Sequence, residues 1–370
     1  MNILVFNAGS SSLKFGLFRG RAAQPLIRGE IEGLGTRTAR LWWVVGRRRR
    51  TQALTGTPGH DRSVHLILQL LKKEHWFAET PKFVGHRVVH GGEFFHKPTR
   101  LNPARVRALR QLNHLAPLHN PPALTVIAAA LRALPASQHI AVFDTAFTAD
   151  LPPESRWYAL PIALQKRMGI RRFGFHGISH AAALADAARQ LGRPVSKLNC
   201  ITVHLGAGCS VTATRHGRPV QTSMGYTPLE GLPMATRSGN IDPEIPLTLE
   251  DHGFSREQVR HLLNRKSGWF GLTGEQDFRR VLAGAGRSTS AAQRARCTLA
   301  IQLFVQQVKM TVAGYAAVLG TTDAIVFTGA IGAGNPALRR AVVQGIIHKG
   351  RPRVLVVPPD EERAIARQCL

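Results

Sequence analysis

Three polar residues stand where apolar runs stop or a helix begins. Asn7 closes Ile3-Leu4-Val5-Phe6, Asp144 closes Ile140-Ala141-Val142-Phe143, and Glu361 opens the last helical stretch. Amide and carboxylate oxygens are the donors magnesium prefers, and it takes only one or two from a protein while keeping several waters. Two arginines have apolar or glycine-bounded surroundings. Arg87 lies in Gly85-His86-Arg87-Val88-Val89-His90-Gly91-Gly92, and Arg237 in Met234-Ala235-Thr236-Arg237-Ser238-Gly239-Asn240-Ile241-Asp242-Pro243. An unpaired buried guanidinium is costly, so each needs an anion. The guanidinium fork fits carboxylate and phosphate alike, so that anion is either a protein acid or a substrate. His176, in Phe173-Gly174-Phe175-His176-Gly177-Ile178-Ser179-His180, sits at a glycine turn opening a helix. There it serves an anion held at the helix N-terminus, or it is a cap or core residue. Metal-binding oxygens, cationic groups and a helix start are the parts that phosphoryl transfer requires.

Positioning these residues falls to two similar hairpins. Ile3 to Phe6 runs into Asn7-Ala8-Gly9-Ser10-Ser11-Ser12-Leu13-Lys14-Phe15, and Ile201-Thr202-Val203-His204-Leu205 runs into Gly206-Ala207-Gly208-Cys209-Ser210-Val211-Thr212. In each, small residues leave backbone N–H groups able to face an anion. Two such hairpins predict two related domains facing each other across a phosphate-bearing ligand. Strands alternate with helices, so the expected class is α/β. Helices are predicted over 63–74, 103–112 (Asn102 as cap), 122–134, 178–191, 256–264 and 289–319, and from Asn335 to His348. Strands are predicted over 82–90, 140–143, 324–327 and 353–357. Thr328 to Asn335 reads as a glycine loop, and Arg47-Arg48-Arg49-Arg50 as a hairpin tip. Domain crossings are expected at 145–153 and 357–360, giving 1–147 plus 358–370 and 148–357.

The chain has 370 residues, enough for two cores, and 44% hydrophobic content with 35 glycines suits a globular protein with many turns. No apolar run has the length of a membrane span, and no basic leader or cleavage site precedes the first strand. Cys200, Cys209, Cys297 and Cys369 show no metal-type spacing, which points to reduced thiols of a cytoplasmic protein and away from zinc. Lys and Arg number 49 against 22 Asp and Glu, a net charge of +27. That field attracts anionic metabolites, membrane surfaces and nucleic acid. The arginines are dispersed and not interleaved with aromatic residues, unlike a stacking platform for nucleic acid.

Taken together, these segments resemble the acetate kinase family of the acetate-and-sugar-kinase, actin and heat-shock-chaperone superfamily. The resemblance runs in order through Asn7 to Phe15, His86 to Gly92, Leu115-Ala116-Pro117-Leu118-His119-Asn120-Pro121, Phe143-Asp144-Thr145-Ala146-Phe147, Phe173 to His180, Thr222 to Leu232 and Thr236 to Pro243. It implies two duplicated actin-like (ribonuclease H-like) α/β domains with a central cleft. The implied activity is reversible, ATP-dependent phosphorylation of acetate to acetyl phosphate by direct in-line transfer, in a homodimer. By the same resemblance, Asn7 and Glu361 are the ligands of Mg2+, for which Mn2+ can substitute. Asp144, Arg87, His176 and Arg237 are the catalytic group, with Asp144 orienting metal and substrate. Arg87 and Arg237 clamp the carboxylate and the migrating phosphoryl, and His176 stabilises its developing charge. Lys14, His204, Leu205, Gly206, Ala207, Gly208, Asp277, Phe278, Arg279, Ala330, Ile331, Gly332, Ala333 and Gly334 fall where the family holds ATP. Val89, Leu118, Phe175 and Pro228 resemble the pocket for the methyl end, and branched Val89 favours acetate over longer acids.

This chain departs from the family at several positions. Ala207-Gly208 replaces Asn-Gly, Gly332-Ala333-Gly334 replaces Gly-Glu-Asn with Asn335 as a substitute contact, Asn240 replaces an aspartate, and Thr148 a histidine. The chain also ends soon after Ala366. Altered nucleotide use with retained chemistry is expected. Two alternatives remain: a propionate or butyrate kinase, and a degenerate kinase fold that binds nucleic acid or an acidic partner.

Overall fold

A continuous apolar run makes β1 (Asn2–Ala8) a buried strand, which turns through a Gly9 N–H to Ser12 carbonyl bond of 2.9 Å into β2 (Ser12–Arg19). The structure is a computed structural model describing residues 1–20, 24–76, 79–287, 290–347 and 352–370. The chain divides into two units, Met1–Ala149 with Asp360–Leu370, and Asp150–Pro359.

In the first unit the meander continues antiparallel through β3 (Ile27–Glu32), β4 (Arg40–Val45) and β5 (Arg48–Ala53). On the other side of β1, β6 (Phe83–Val88) and β8 (Gln138–Phe143) add in parallel, and the short β7 (Thr99–Arg100) closes the edge. The sheet order is β5-β4-β3-β2-β1-β6-β8-β7. Helices α1 (His60–Lys73), α2 (Pro103–Gln111) and α3 (Asn120–Ala133) follow the expected apolar spacing, and Asn102 caps α2 by accepting from the Arg105 N–H. Period-two alternation sorts the faces of β1. Leu4, Phe6 and Ala8 share a core with α1 and α3. Val5 instead borders Gly85 and the C-terminal helix Glu361–Gln368, so Asn7 is on that helix's side. A Cβ on Gly85 would lie 2.8 Å from both Cys369 Sγ and Ile365, so only glycine lets the helix pack this closely on β6.

The second unit repeats the connection. Its sheet order is β11-β10-β9-β12-β13, with β9 (Cys200–Leu205), β10 (Cys209–Arg215) and β11 (Arg218–Thr222) antiparallel. Strands β12 (Ala324–Thr328) and β13 (Arg353–Val356) run parallel to β9. The order β3-β2-β1-β6-β8 of the first unit is the same pattern, the duplicated actin-like arrangement expected. The short helices α4 (Pro153–Arg156) and α5 (Ile162–Met168) lead to α6 (Gly177–Leu191), which packs on β9 and β12. Then come α7 (Glu244–Asp251), α8 (Arg256–His261), α9 (Gly268–Thr273) and α10 (Phe278–Arg287). The long α11 (Ala291–Leu319) packs on β9 and β10, and α12 (Gly329–Gly334) and α13 (Pro336–Val343) follow β12.

Three expectations change. The glycine loop after β12 is the short helix α12, because glycine permits but does not require an irregular backbone. The arginine run is not a hairpin tip throughout: only Arg47 is in the turn, and Arg48 to Arg50 form the exposed edge strand β5. The helix expected to run from Asn335 to His348 stops at Val343, because the chain turns at Gly345 in the left-handed region (φ 80°); His348 itself and the expected helix start at Thr289 lie outside the described residues. Among the described residues no helix is long and apolar enough to cross a membrane, and the four cysteines are buried and unpaired.

Candidate active site

Parallel register in the first unit brings its polar residues to one end of the sheet. Phe6 pairs with His86 and Val88 with Phe143, so Asn7, Arg87 and Asp144 emerge beside one another at the carboxyl ends of β1, β6 and β8. That end of an open α/β sheet is where ligands bind. Arg87 Nε and Nη2 donate to Asp144 Oδ2 at 3.0 and 2.6 Å, and Nη1 donates to Asn7 Oδ1 at 3.1 Å. Glu361 Oε2 is 3.7 Å from Arg87 Nη1. Asn7 Nδ2 donates to Glu361 Oε2 at 3.0 Å and to Glu362 Oε1 at 2.8 Å. Glu362 is therefore a member of the group that the sequence reading missed. Two successive glutamates at a helix start carry no sign of which one faces the strands.

Charge balances tightly here. Burial works against the Arg87 cation, but Asp144, Glu361 and Glu362 outweigh it and hold its pKa above the usual value. Burial and the neighbouring Glu361 raise the Glu362 carboxyl, with Lys14 and the Asn7 amide opposing. Lys14 stands directly across from Asn7 in the β1–β2 pair. Val89 follows β6 and is buried, whereas Leu118 is exposed. No grouping of three His, Cys, Asp or Glu able to cage a metal occurs among the described residues. A magnesium ion needs less than that, and the carboxylate oxygens of Glu361 and Glu362, gathered at the Asn7 amide, are hard donors that fit it.

In the second unit, His176 caps α6 in the left-handed region (φ 57°), a conformation costing a non-glycine residue roughly 1–2 kcal/mol. Its Nδ1 is 2.8 Å from Ser210 Oγ, and its ring lies 4.4 Å from that of His204, whose Nδ1 is 2.8 Å from Ser179 Oγ. Gly208 abuts His176: a Cβ there would come within 3.1 Å of the imidazole. His204, Leu205 and Gly206 are buried at the end of β9, and Ala207 is exposed at the turn. Arg237 Nη1 donates to the Pro228 carbonyl at 3.3 Å, tying these two expected site residues together. Burial lowers the Arg237 pKa, and the Arg265 charge adds to the effect. Phe175 is buried.

The expected nucleotide residues divide. Ala330, Ile331, Gly332, Ala333 and Gly334 lie together in α12, beside β9. Asp277 and Arg279 form an exposed ion pair at 2.7 Å at the start of α10. Phe278 packs its ring against Trp269 and Phe304, so its side chain is core and leaves only its backbone to a nucleotide. Sequence spacing cannot separate it from its two polar neighbours, because one turn of helix faces both solvent and core.

The acetokinase family profile matches residues 2–367. The chain belongs to this family. It is 40% identical to the acetate kinase of Heliobacterium modesticaldum over 99% of this chain and 98% of that protein. Among solved structures, Porphyromonas gingivalis acetate kinase superposes with a TM-score of 0.89 at 33% identity, covering 100% of this chain and 98% of the other. A propionate kinase from Francisella tularensis subsp. tularensis also gives 0.89, at 34% identity over 99% and 98%.

Two departures from the family pattern have local roles. Asn240 Oδ1 accepts from the Gly231 N–H at 2.7 Å, an acceptor role an aspartate would also fill. Asn335 Oδ1 caps α13 by accepting from the Leu338 N–H at 3.0 Å.

Proposed function

We propose that this acetokinase-family protein transfers the γ-phosphoryl of ATP to the carboxylate of acetate, giving acetyl phosphate and ADP, and runs the reverse reaction. The observation that supports this most is the Arg87–Asp144–Asn7–Glu361 cluster at the strand ends. A carboxylate is already ionised at neutral pH, so no strong base is required. The barrier is the approach of two anions, which fixed cationic groups lower. One carboxylate oxygen attacks the γ-phosphorus as its bond to the β–γ bridging oxygen breaks, and that oxygen leaves with ADP.

Arg87, charged and oriented by Asp144, is proposed to hold the substrate carboxylate, and Arg237 the migrating phosphoryl. His176 is proposed to neutralise charge developing on the phosphoryl oxygens. Asn7 and Glu361, with Glu362 beside them, would hold Mg2+, which neutralises phosphate charge when bound; Mn2+ can take the same oxygens. In the first unit Val89 and Leu118, and in the second Phe175 and Pro228, are proposed to meet the apolar end of the acid. Lys14, the turn His204–Gly208, Asp277 with Arg279, and α12 are proposed to serve ATP. An exposed apolar stripe on α11, Leu299, Leu303 and Met310, supports a homodimer, and four unpaired thiols suit a cytoplasmic protein.

A second reading, propionate as the preferred acid, is favoured by the equal likeness to a propionate kinase structure. One methylene discriminates by only about 1–3 kcal/mol, so both acids should react. Purified protein with ATP, magnesium and a panel of short acids, trapped with hydroxylamine, tests the proposal. Acyl hydroxamate should form with the highest kcat/KM for acetate. No hydroxamate from any acid would reject the kinase reading.

A further inference from the structure

Behind His176 lies a chain of hydrogen bonds whose proton directions can be assigned one by one. Thr202 Oγ1 is 3.3 Å from the Thr212 carbonyl oxygen, which only accepts, so the arrangement in which this hydroxyl makes both of its contacts sends the threonine proton there. His180 Nδ1 is 2.7 Å from the same Oγ1 and must be the donor in that contact. His180 is fully buried, and burial, reinforced by neighbouring His204, lowers its pKa to about 3. The ring is therefore neutral, and with its proton on Nδ1 its Nε2 is a lone pair. That Nε2 is 2.8 Å from Ser210 Oγ, so the serine hydroxyl donates to it. Ser210 has then spent its only proton. Its oxygen accepts, and the donor is His176 Nδ1 at 2.8 Å.

We propose that Thr202, His180 and Ser210 are positioning residues that lock His176 with its proton on Nδ1, so that Nε2, beside Gly208, becomes a donor only when the ring is an imidazolium. The inference deepens the proposed function and rests on His176 serving the migrating phosphoryl. A neutral ring in this tautomer offers the phosphoryl oxygens a lone pair. The imidazolium offers them an N–H and a positive charge. His204 stacks on the ring from β9, and His180 is linked to it through Ser210 of β10.

The test is nitrogen NMR of the full chain labelled at histidine, in mildly alkaline buffer where imidazoles are neutral. The His176 signals are assigned by their loss in His176→Asn. The expected spectrum has His176 Nδ1 protonated and Nε2 bare. Thr202→Val removes the acceptor that holds His180, so His180 and then His176 should switch to the Nε2–H form, whereas Thr202→Ser should behave as wild type. Ser210→Ala should lower kcat about tenfold or more while KM for ATP and acetate stays near wild type. An Nε2–H His176 in the wild-type protein overturns the proposal without any variant, as does an unchanged tautomer in Thr202→Val. If His176→Asn retains full turnover, the functional reading fails while the tautomer assignment stands, so the two failures are told apart.

Discussion

Arg87 uses its whole fork: two nitrogens on Asp144, the third shared between Asn7 and Glu361. A lysine carries the charge but cannot span these partners. Arg87→Lys should therefore lose on the order of a hundredfold in kcat, close to Arg87→Ala, as hydroxamate assays would record. Near-normal turnover by the lysine variant would mean that charge alone matters there. Arg87→Ala also strands a buried Asp144, so a stability loss of about 3 kcal/mol is expected in chemical denaturation. Single residues were legible where chemistry broke an apolar pattern. Asn7, Asp144 and Arg87 stood out in this way, and they meet. Glu362, Thr202 and Ser210 did not, because their partners lie far along the chain and only strand register and helix placement join them.

At the scale of elements, the C-terminal helix carries Glu361 and Glu362 and is seated on β6 at Gly85. Gly85→Ala inserts a methyl 2.8 Å from Ile365 and Cys369 and should push that helix outward. Its expected signature is a several-fold rise in the magnesium concentration needed for half-maximal rate. An unchanged magnesium curve would argue that the helix does not set the metal oxygens.

On the opposite face of β6, buried His86 stacks between Phe6 and His139, and His139 Nε2 donates to the Leu134 carbonyl. Burial and the His139 charge lower the His86 pKa, and burial lowers that of His139. Unfolded, both bind protons near the ordinary value of about 6.5. Their depressed folded pKa means stability is full above that value and is lost as pH falls below it. The denaturation midpoint should drop on acidification from neutral, and His86→Leu/His139→Leu should flatten the drop. Strands and long helices were readable from apolar spacing. Helix α12 was not, since three glycines in eight residues fit loop and helix equally.

For the molecule as a whole, repetition of one sheet order is what the paired glycine hairpins announced, and the order itself came from register that no local pattern encodes. The +27 charge is a property of the whole chain and bears on encounter. Anionic substrates should be captured less efficiently as salt rises, so kcat/KM for ATP should fall with ionic strength while kcat holds. Steeply salt-dependent binding to DNA or RNA without kinase turnover would instead favour the degenerate, binding-protein reading.

In the proposed reaction a carboxylate oxygen itself takes the phosphoryl group. Acetate labelled with heavy oxygen at both positions, incubated with ATP, magnesium and the protein, tests it by phosphorus NMR. The expected product is acetyl phosphate whose phosphorus signal is isotope-shifted by one heavy bridging oxygen, formed together with ADP. Acetyl phosphate without that shift, or ADP with no acyl phosphate at all, would contradict it.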